Sequence, residues 1–514
     1  MIDSLIEALQ VNLQLEQEPQ SLLRYASEIP RMGPTETVML FDGLAEFAIA
    51  NREAKWPRAM AVLLCNISDE RVSDWLPDEA LPNVEQLYRV CPASDGFRCR
   101  LLSLLANKDS EVGSTVWCQL ICEDPPQTSE NIQLAFAPFT RPRETRIDED
   151  SMSELVENAS HSLPVAAAVY ELANHYFRTG AMEVHPLHDR AETLAELLGG
   201  LVGRLSKIEE GIVPEDATAE SIASAVQDSV ALIIAIIDAL SLLEFESATG
   251  KFNQALKLRH RRIQVEAAAA LARLDDEQGQ KQLLEMVKHP AVRPRVIAYA
   301  DELGLSNEIS LEHTGPIAEA ESQLALWLSQ PQQMGFAPTS MELVDQRELY
   351  WPSYEDPIAS FLFSFEYGSG ENAFRNIGIS GPLTHAFTAD LKVLSTADQY
   401  SAFAGWQTIS DEIYTVPIDR AENLLAPQTD KLKRLLANAE SIETTPQVLV
   451  SFFGEYSMVA TGINEAGETG TWVVDADGND WIGRGNESAP VDWQLALEIW
   501  KGRKLLTNFN PTFS

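Results

Sequence analysis

Two helical segments in the middle of the chain carry one pattern at a fixed spacing, and that repetition restricts the fold more than any single motif. Lys257-Leu-Arg-His-Arg-Arg262 leads into Ile263-Gln-Val-Glu-Ala-Ala-Ala-Ala-Leu-Ala-Arg-Leu274, and after Gln278–Lys288 a similar helix follows at Val292-Arg-Pro-Arg-Val-Ile-Ala-Tyr-Ala-Asp-Glu-Leu303. Sliding one onto the other superposes Ile263 on Val292, Ala267 on Val296, Ala269 on Ala298 and Leu274 on Leu303, an offset of 29 residues (292 − 263). Self-similarity at such a period marks a stacked array, because one helix pair cannot bury its apolar face until a neighbouring pair covers it. Small alanines in mid-helix allow the close approach that stacking needs.

A β-branched residue opening the second helix, alanines in its middle and a leucine three turns on resemble a HEAT-type repeat. Such armadillo-like helical pairs occur in scaffold proteins and in the HEAT-like modules of phycobilin lyase relatives. The resemblance covers the two central repeats, a third at Leu101–Asp124, and residues 1–305 loosely. It implies an α-helical HEAT-like solenoid that presents a concave surface to a protein partner. HEAT-array metalloenzymes of the deoxyhypusine hydroxylase kind depend on His-Glu pairs, and this sequence contains no His-Glu dipeptide.

Length and charge narrow the function classes. At 514 residues the chain exceeds one ordinary core. A formal net charge of −39 opposes attraction to phosphate backbones and anionic lipid, so nucleic acid is not an expected partner. The stretch Val230–Ile237 is the most apolar, but Asp228 and Asp238 bound it far short of the roughly 20 residues a membrane span needs. It reads as a core helix, and no membrane insertion is expected. Met1–Glu7 lacks a basic leader region, and Cys65, Cys91, Cys99, Cys118 and Cys122 are an odd set confined to the first quarter. Reduced thiols and a cytoplasmic location fit both facts.

Helical spacing over Ile2–Asn51 implies two or three helices, with Thr35 as a cap after Gly33-Pro34. Trp56–Asn66 reads as another helix. Prolines and charge between Asp124 and Ser151 mark an exposed connection, after which helices resume at Met152 and run through Ala166–Phe177, Ala191–Ile208, Ala219–Leu243 and Ala318–Ser329. Residues 330–340 are a turn-rich linker. Beyond it the period becomes two, in Phe361–Tyr367, Val448–Phe453, Tyr456–Thr461 and Thr471–Val474, interleaved with helices at Ala397–Trp406, Asp430–Ala439 and Trp493–Lys504. The expected organisation is a HEAT-like array over 1–329, the linker, and a separate α+β domain of no recognised activity over 341–514.

Residues 251–303 hold ten Lys/Arg against seven Asp/Glu, a local +3 inside a strongly acidic chain. Lys257, Arg259, Arg261, Arg262, Arg293 and Arg295 are therefore the candidate contacts for an acidic protein partner. The competing reading pairs these cations with acidic neighbours and helix ends. In the α+β domain, Ser380, Thr384, His385 and Asp390 lie in the run Asn376–Asp390 and form the candidate ligand contacts. A nucleophile, a base and a carboxylate are present there, but the strand–Gly-x-Ser-x-Gly–helix context is missing. No catalytic residue is assigned. An enzyme or small-ligand-binding protein with its site in this domain stands as the alternative to a scaffold.

No metal or cofactor is expected. Cys118 and Cys122 share one helix face without two further ligands in view, and His185 and His188 flank Pro186-Leu187 outside any Glu-bearing helix motif. Asp475–Asp480 places its glycine too early for a calcium loop and reads as a turn between two strands.

Overall fold

The computed structural model describes residues 2–15, 29, 32–51, 76–93, 96–142, 145–213, 218–330, 332–368, 370, 373–408, 415–416, 426–437, 447–450, 456–476, 478–483, 490–510 and 512–513. The helix expected at Trp56–Asn66 lies outside them, as does Cys65. Packing divides the chain into two compact units, Met1–Leu283 and Leu284–Ser514.

The first unit is helical. It opens with α1 (Ile2–Leu15) and α2 (Pro34–Ala50), followed by α3 (Leu81–Val90), α4 (Phe97–Asn107) and α5 (Glu111–Glu123). Thr35 does not cap α2. Pro34 opens the helix and Gly33 takes the cap position, where Glu36 folds back to accept from the Gly33 N–H. Ser110 caps α5 by accepting from the Gly113 N–H. The connection after Asp124 is not simply exposed. It contains α6 (Ile132–Phe136), and Phe136 and Phe139 pack on the fully buried Trp117 at ring distances of 4.9 and 4.6 Å. Aromatic area outweighs the local density of proline and charge here.

Next come α7 (Glu149–Asn158), α8 (Leu163–Arg178), α9 (Ala191–Glu209), α10 (Ala219–Leu242), α11 (Thr249–Ala255), α12 (Arg261–Arg273) and α13 (Glu277–Glu285), the last reaching the boundary. Helix α10 lies between α8 and α12, while α9 lies beside α11. Lys251 lies against Gly199 near the start of this contact, and Glu209 meets the Arg259 backbone at its end. The apolar Val230–Ile237 run sits inside α10 and is mostly buried.

One polar network ties α8, α10 and α12 together. Asn174 donates to the Ala235 carbonyl and to Asp238, each at 3.0 Å. Arg178 also donates to Asp238, and Arg273 reaches it at 3.8 Å while donating to Ser241. Asp238 is buried, so these donors replace the water its carboxylate gave up.

Four helix ends of the first unit repeat a single geometry. Gly180, Gly211, Glu244 and Asp275 follow α8, α9, α10 and α12 with φ of 68°, 81°, 51° and 58°. At each, the residue's own N–H bonds three residues back and the next N–H bonds five residues back, the Schellman closure. Gly304 (φ 71°) closes α14 (Arg293–Glu302) of the second unit in the same way, 29 residues after Asp275 (304 − 275). Side chains follow the same offset. Gln264 donates to the Leu258 carbonyl at 2.7 Å, and Arg293 donates to the Val287 carbonyl at 2.9 Å. Both donors and both acceptors stand 29 apart.

The second unit continues with α15 (Pro316–Leu328) and a four-stranded antiparallel sheet in the order β1 (Ser340–Tyr350), β2 (Pro357–Tyr367), β3 (Phe374–Ser380), β4 (His385–Ala386). Then follow α16 (Thr396–Gln407), β5 (Thr415–Val416), α17 (Ala426–Ala437), β6 (Gln447–Val450), β7 (Tyr456–Ile463), β8 (Thr469–Val474), β9 (Asn479–Gly483) and α18 (Trp493–Phe509). Strands β5 to β9 form a second antiparallel sheet in chain order. Alternation in β2 sets the layers. Phe361, Phe363, Phe365 and Tyr367 pack on Ala320, Leu324 and Leu328 of α15, while Leu362 joins Tyr400, Phe403 and Trp500 of α16 and α18. The second sheet lays Val459, Val473 and Ile482 on the same helix pair, and its other face meets Leu432 of α17. A side chain at Gly405 would lie 1.9 Å from the Glu498 carbonyl, and one at Gly502 would lie 1.8 Å from that of Ser401, so α16 and α18 touch backbone to backbone.

Helix α15 is thus one layer of the second unit, which begins upstream of the 330–340 linker. Strand β1 carries no apolar alternation in sequence because most of it is exposed. Between β8 and β9, Asp475 accepts from the Gly478 N–H at 2.6 Å, which brings the two strand ends together.

Candidate partner-binding site

The basic cluster is built on the corner between α11 and α12. Buried Leu258 pins the turn, and Gln264 holds it by donating to the carbonyls of Leu256 and Leu258. Glu209, at the end of α9, accepts the Arg259 N–H on both carboxylate oxygens at 2.8 and 3.0 Å. That carboxylate is therefore committed to backbone. The side chains of Lys257, Arg259, Arg261 and Arg262 all point to solvent. Arg261 donates to Gln264 at 2.9 Å, and among the described residues none of the four has a carboxylate partner. From Thr249 to Val265 the chain carries Lys251, Lys257, Arg259, Arg261 and Arg262 and no Asp or Glu. Unpaired cations on a protein of net charge −39 create a local well for an anionic group.

Arg293 corrects the expectation drawn from sequence. It is 4% exposed and donates to the carbonyls of Val287 and Ala318 and to Ser322, with Glu321 at 2.8 Å. Its guanidinium holds the turn at Val287 against the first turn of α15 and pairs with Glu321, the role assigned to it by the competing reading. Arg98 plays a similar part in the first unit, donating to the carbonyls of Cys91 and Asp124 beside the Asp124 carboxylate. Arg295 is exposed and lies 4.8 Å above the Tyr299 ring.

The four residues proposed for ligand contact do not assemble by hydrogen bonding. Ser380 is fully buried and donates to Gln323 at 3.1 Å. His385 stacks on Trp406 at 3.8 Å, with Trp327, Phe387 and Phe403 at its edges, and burial pushes its pKa down to about 4. Asp390 pairs with Lys392 at 3.0 Å, and Thr384 is half-buried in the turn between β3 and β4. A serine turned to an amide and a histidine held among rings are not arranged for proton transfer between them.

The chain matches no protein-family model and no curated protein.

The remaining sequence candidates are accounted for locally. Burial pushes the Cys118 thiol up to about 12 and that of Cys122 to about 11, so both pack as neutral core groups. His185 has both ring nitrogens engaged. It accepts from the Leu187 N–H at Nδ1 and meets Asn174 Oδ1 through Nε2, each at 3.1 Å. His188 is exposed beside Asp189. Sequence reasoning missed the outward stripe of α9, where Glu196, Leu197, Gly200, Gly203, Arg204 and Lys207 are all exposed. Its helical periodicity was present in the sequence, but which α9 face the neighbouring helices cover was not.

Proposed function

We propose that the chain is a cytoplasmic HEAT-type scaffold that captures an acidic segment of a protein partner at the Lys257–Arg262 corner. The sheets of the second unit, with α15 to α18, are a separate α+β module that follows the array in the chain. The repeat reading is supported by the paired closures at Asp275 and Gly304 and by the matching reach of Gln264 and Arg293, all at the sequence offset of 29. One observation carries the partner reading: four exposed cations within six residues have no acidic partner among the described residues. Exposed charges of this kind act through encounter rate and salt sensitivity rather than through the fold.

The test is Arg259→Glu combined with Arg262→Glu in the full chain, with partner capture followed by cross-linking and mass spectrometry across a salt series. Capture of the main partner falls roughly tenfold or more and its salt dependence flattens. The melting temperature stays within a degree or so, because neither side chain holds a neighbouring helix. Lost stability with unchanged capture would assign both arginines to the fold instead.

A further inference from the structure

The outward stripe of α9 has a charge order that a monomer leaves unsatisfied. Buried Leu194, Leu198, Leu201, Val202 and Leu205 face the core of the first unit, and Thr193, Glu196, Leu197, Gly200, Gly203, Arg204 and Lys207 face solvent. At 100° per residue these seven positions fall on one face. Acidic residues occupy its first half, with Glu192 one turn before Glu196, and basic residues its second. Like charges therefore neighbour one another at i,i+4 (Glu192, Glu196) and at i,i+3 (Arg204, Lys207), which is unfavourable on an isolated helix. None of the four has an ion-pair partner among the described residues.

The middle of the stripe is unusual in another way. Glycine in a helix interior is destabilising, so each one calls for a reason. At Gly199 a side chain would meet the flexible end of Lys251 at 2.9 Å and displace it. A side chain at Gly200 or Gly203 would meet nothing within 4 Å. Favourable end charges on the helix dipole account for Glu192 and Lys207, which lie in the terminal turns. They do not account for Glu196, Arg204 or the two open glycines.

We propose that α9 is a self-association surface on which a second copy of this chain docks its own α9 antiparallel, with the two-fold axis at Gly200. Equal steps on either side of Gly200 then face one another: Glu196 meets Arg204, Leu197 meets Gly203, and Thr193 meets Lys207. Each pair occurs twice, as an isologous contact requires. Glu196 of the second copy lies over Gly203, where the missing side chain makes room, between Arg204 and Lys207. Gly200 lets the two backbones approach at the axis. A contact of about four helical turns is small, so the association is weak and reversible.

The inference is independent of the acidic-partner reading and is tested on the full chain by sedimentation equilibrium from roughly 1 to 200 µM. A monomer–dimer equilibrium is expected. Gly200→Leu weakens it at least tenfold, as does Glu196→Arg or Arg204→Glu alone, because each single reversal sets like charges together. An equimolar mixture of the Glu196→Arg chain and the Arg204→Glu chain recovers dimer as a heterodimer, since both facing 196–204 pairs are then opposite in sign. Circular dichroism and melting checks that each variant keeps the wild-type fold. A wild-type chain that stays monomeric throughout, a dimer indifferent to all three substitutions, or a mixture that fails to recover would each overturn the proposal.

Discussion

His185 is held neutral by its two hydrogen bonds. The Leu187 N–H must donate, which makes Nδ1 the acceptor and leaves the proton on Nε2 for Asn174 Oδ1. A second proton would oppose the Leu187 N–H, and burial pushes the pKa down from 6.5 to about 4. The unfolded chain therefore binds more protons than the folded one between these values, and stability rises with pH across that window. It is full above 6.5 and is lost as pH falls toward 4, at up to about 1.4 kcal/mol per pH unit for this one proton. His385 titrates in the same direction in the second unit. Denaturant unfolding at pH 7 and pH 5 checks the effect, and His185→Gln should shrink the loss for the first unit; an equal loss in that variant would clear His185. At this scale the exposed cations of the corner were legible in sequence. Arg293 was not, because its role depends on carbonyls from Val287 and Ala318 converging where it lies.

Five of the described helices end by a common device, but two of the residues that execute it are poorly suited to it. Glu244 and Asp275 hold φ of 51° and 58°, where a Cβ costs about 1–2 kcal/mol and glycine has no such penalty. Glu244 is exposed and its backbone makes the closing bond to Ser241. Glu244→Gly should therefore stabilise the first unit by about 0.5–1 kcal/mol, the strain relief exceeding the extra freedom gained by the unfolded chain. Thermal melting with the substitution reads this directly, and a lowered midpoint would mean that the glutamate side chain makes a contribution of its own. The long helices α9 and α10 were legible from apolar periodicity, whereas α3 and α6 were hidden by the prolines around them. Strand β1 was not legible, because most of it is exposed and two of its half-buried positions, Asp345 and Arg347, form an ion pair rather than an apolar face.

Across the molecule, the linker marks the change from helix to strand, yet packing draws its division at Leu283/Leu284. The aromatic face of β2 is covered by α15, and the methyl groups of Leu324 reach the backbone of Gly378 in β3. A fragment of residues 284–514 should unfold cooperatively. One of residues 341–514 leaves Phe361, Phe363 and Phe365 without their covering helix and should show a broad transition or aggregate. Calorimetry on the two fragments separates these outcomes, and a sharp, reversible transition in the shorter one would make α15 dispensable to the second core.

The sequence by itself determined the period of 29, the succession of helices and then strands, and the basic corner, because these rest on local order: which residues recur, and how far apart. It also set the charge order of α9. Only the tertiary structure decided that Arg293 is spent on the carbonyls of Val287 and Ala318 and on Glu321, that Ser380 and His385 turn to an amide and to aromatic rings, and that α15 belongs to the sheet. Burial and hydrogen-bond partners are set by residues distant in the chain, as Arg503 of α18 shows by gripping Asp398 of α16 at 2.6 and 2.9 Å. No window of sequence contains both halves of such a contact.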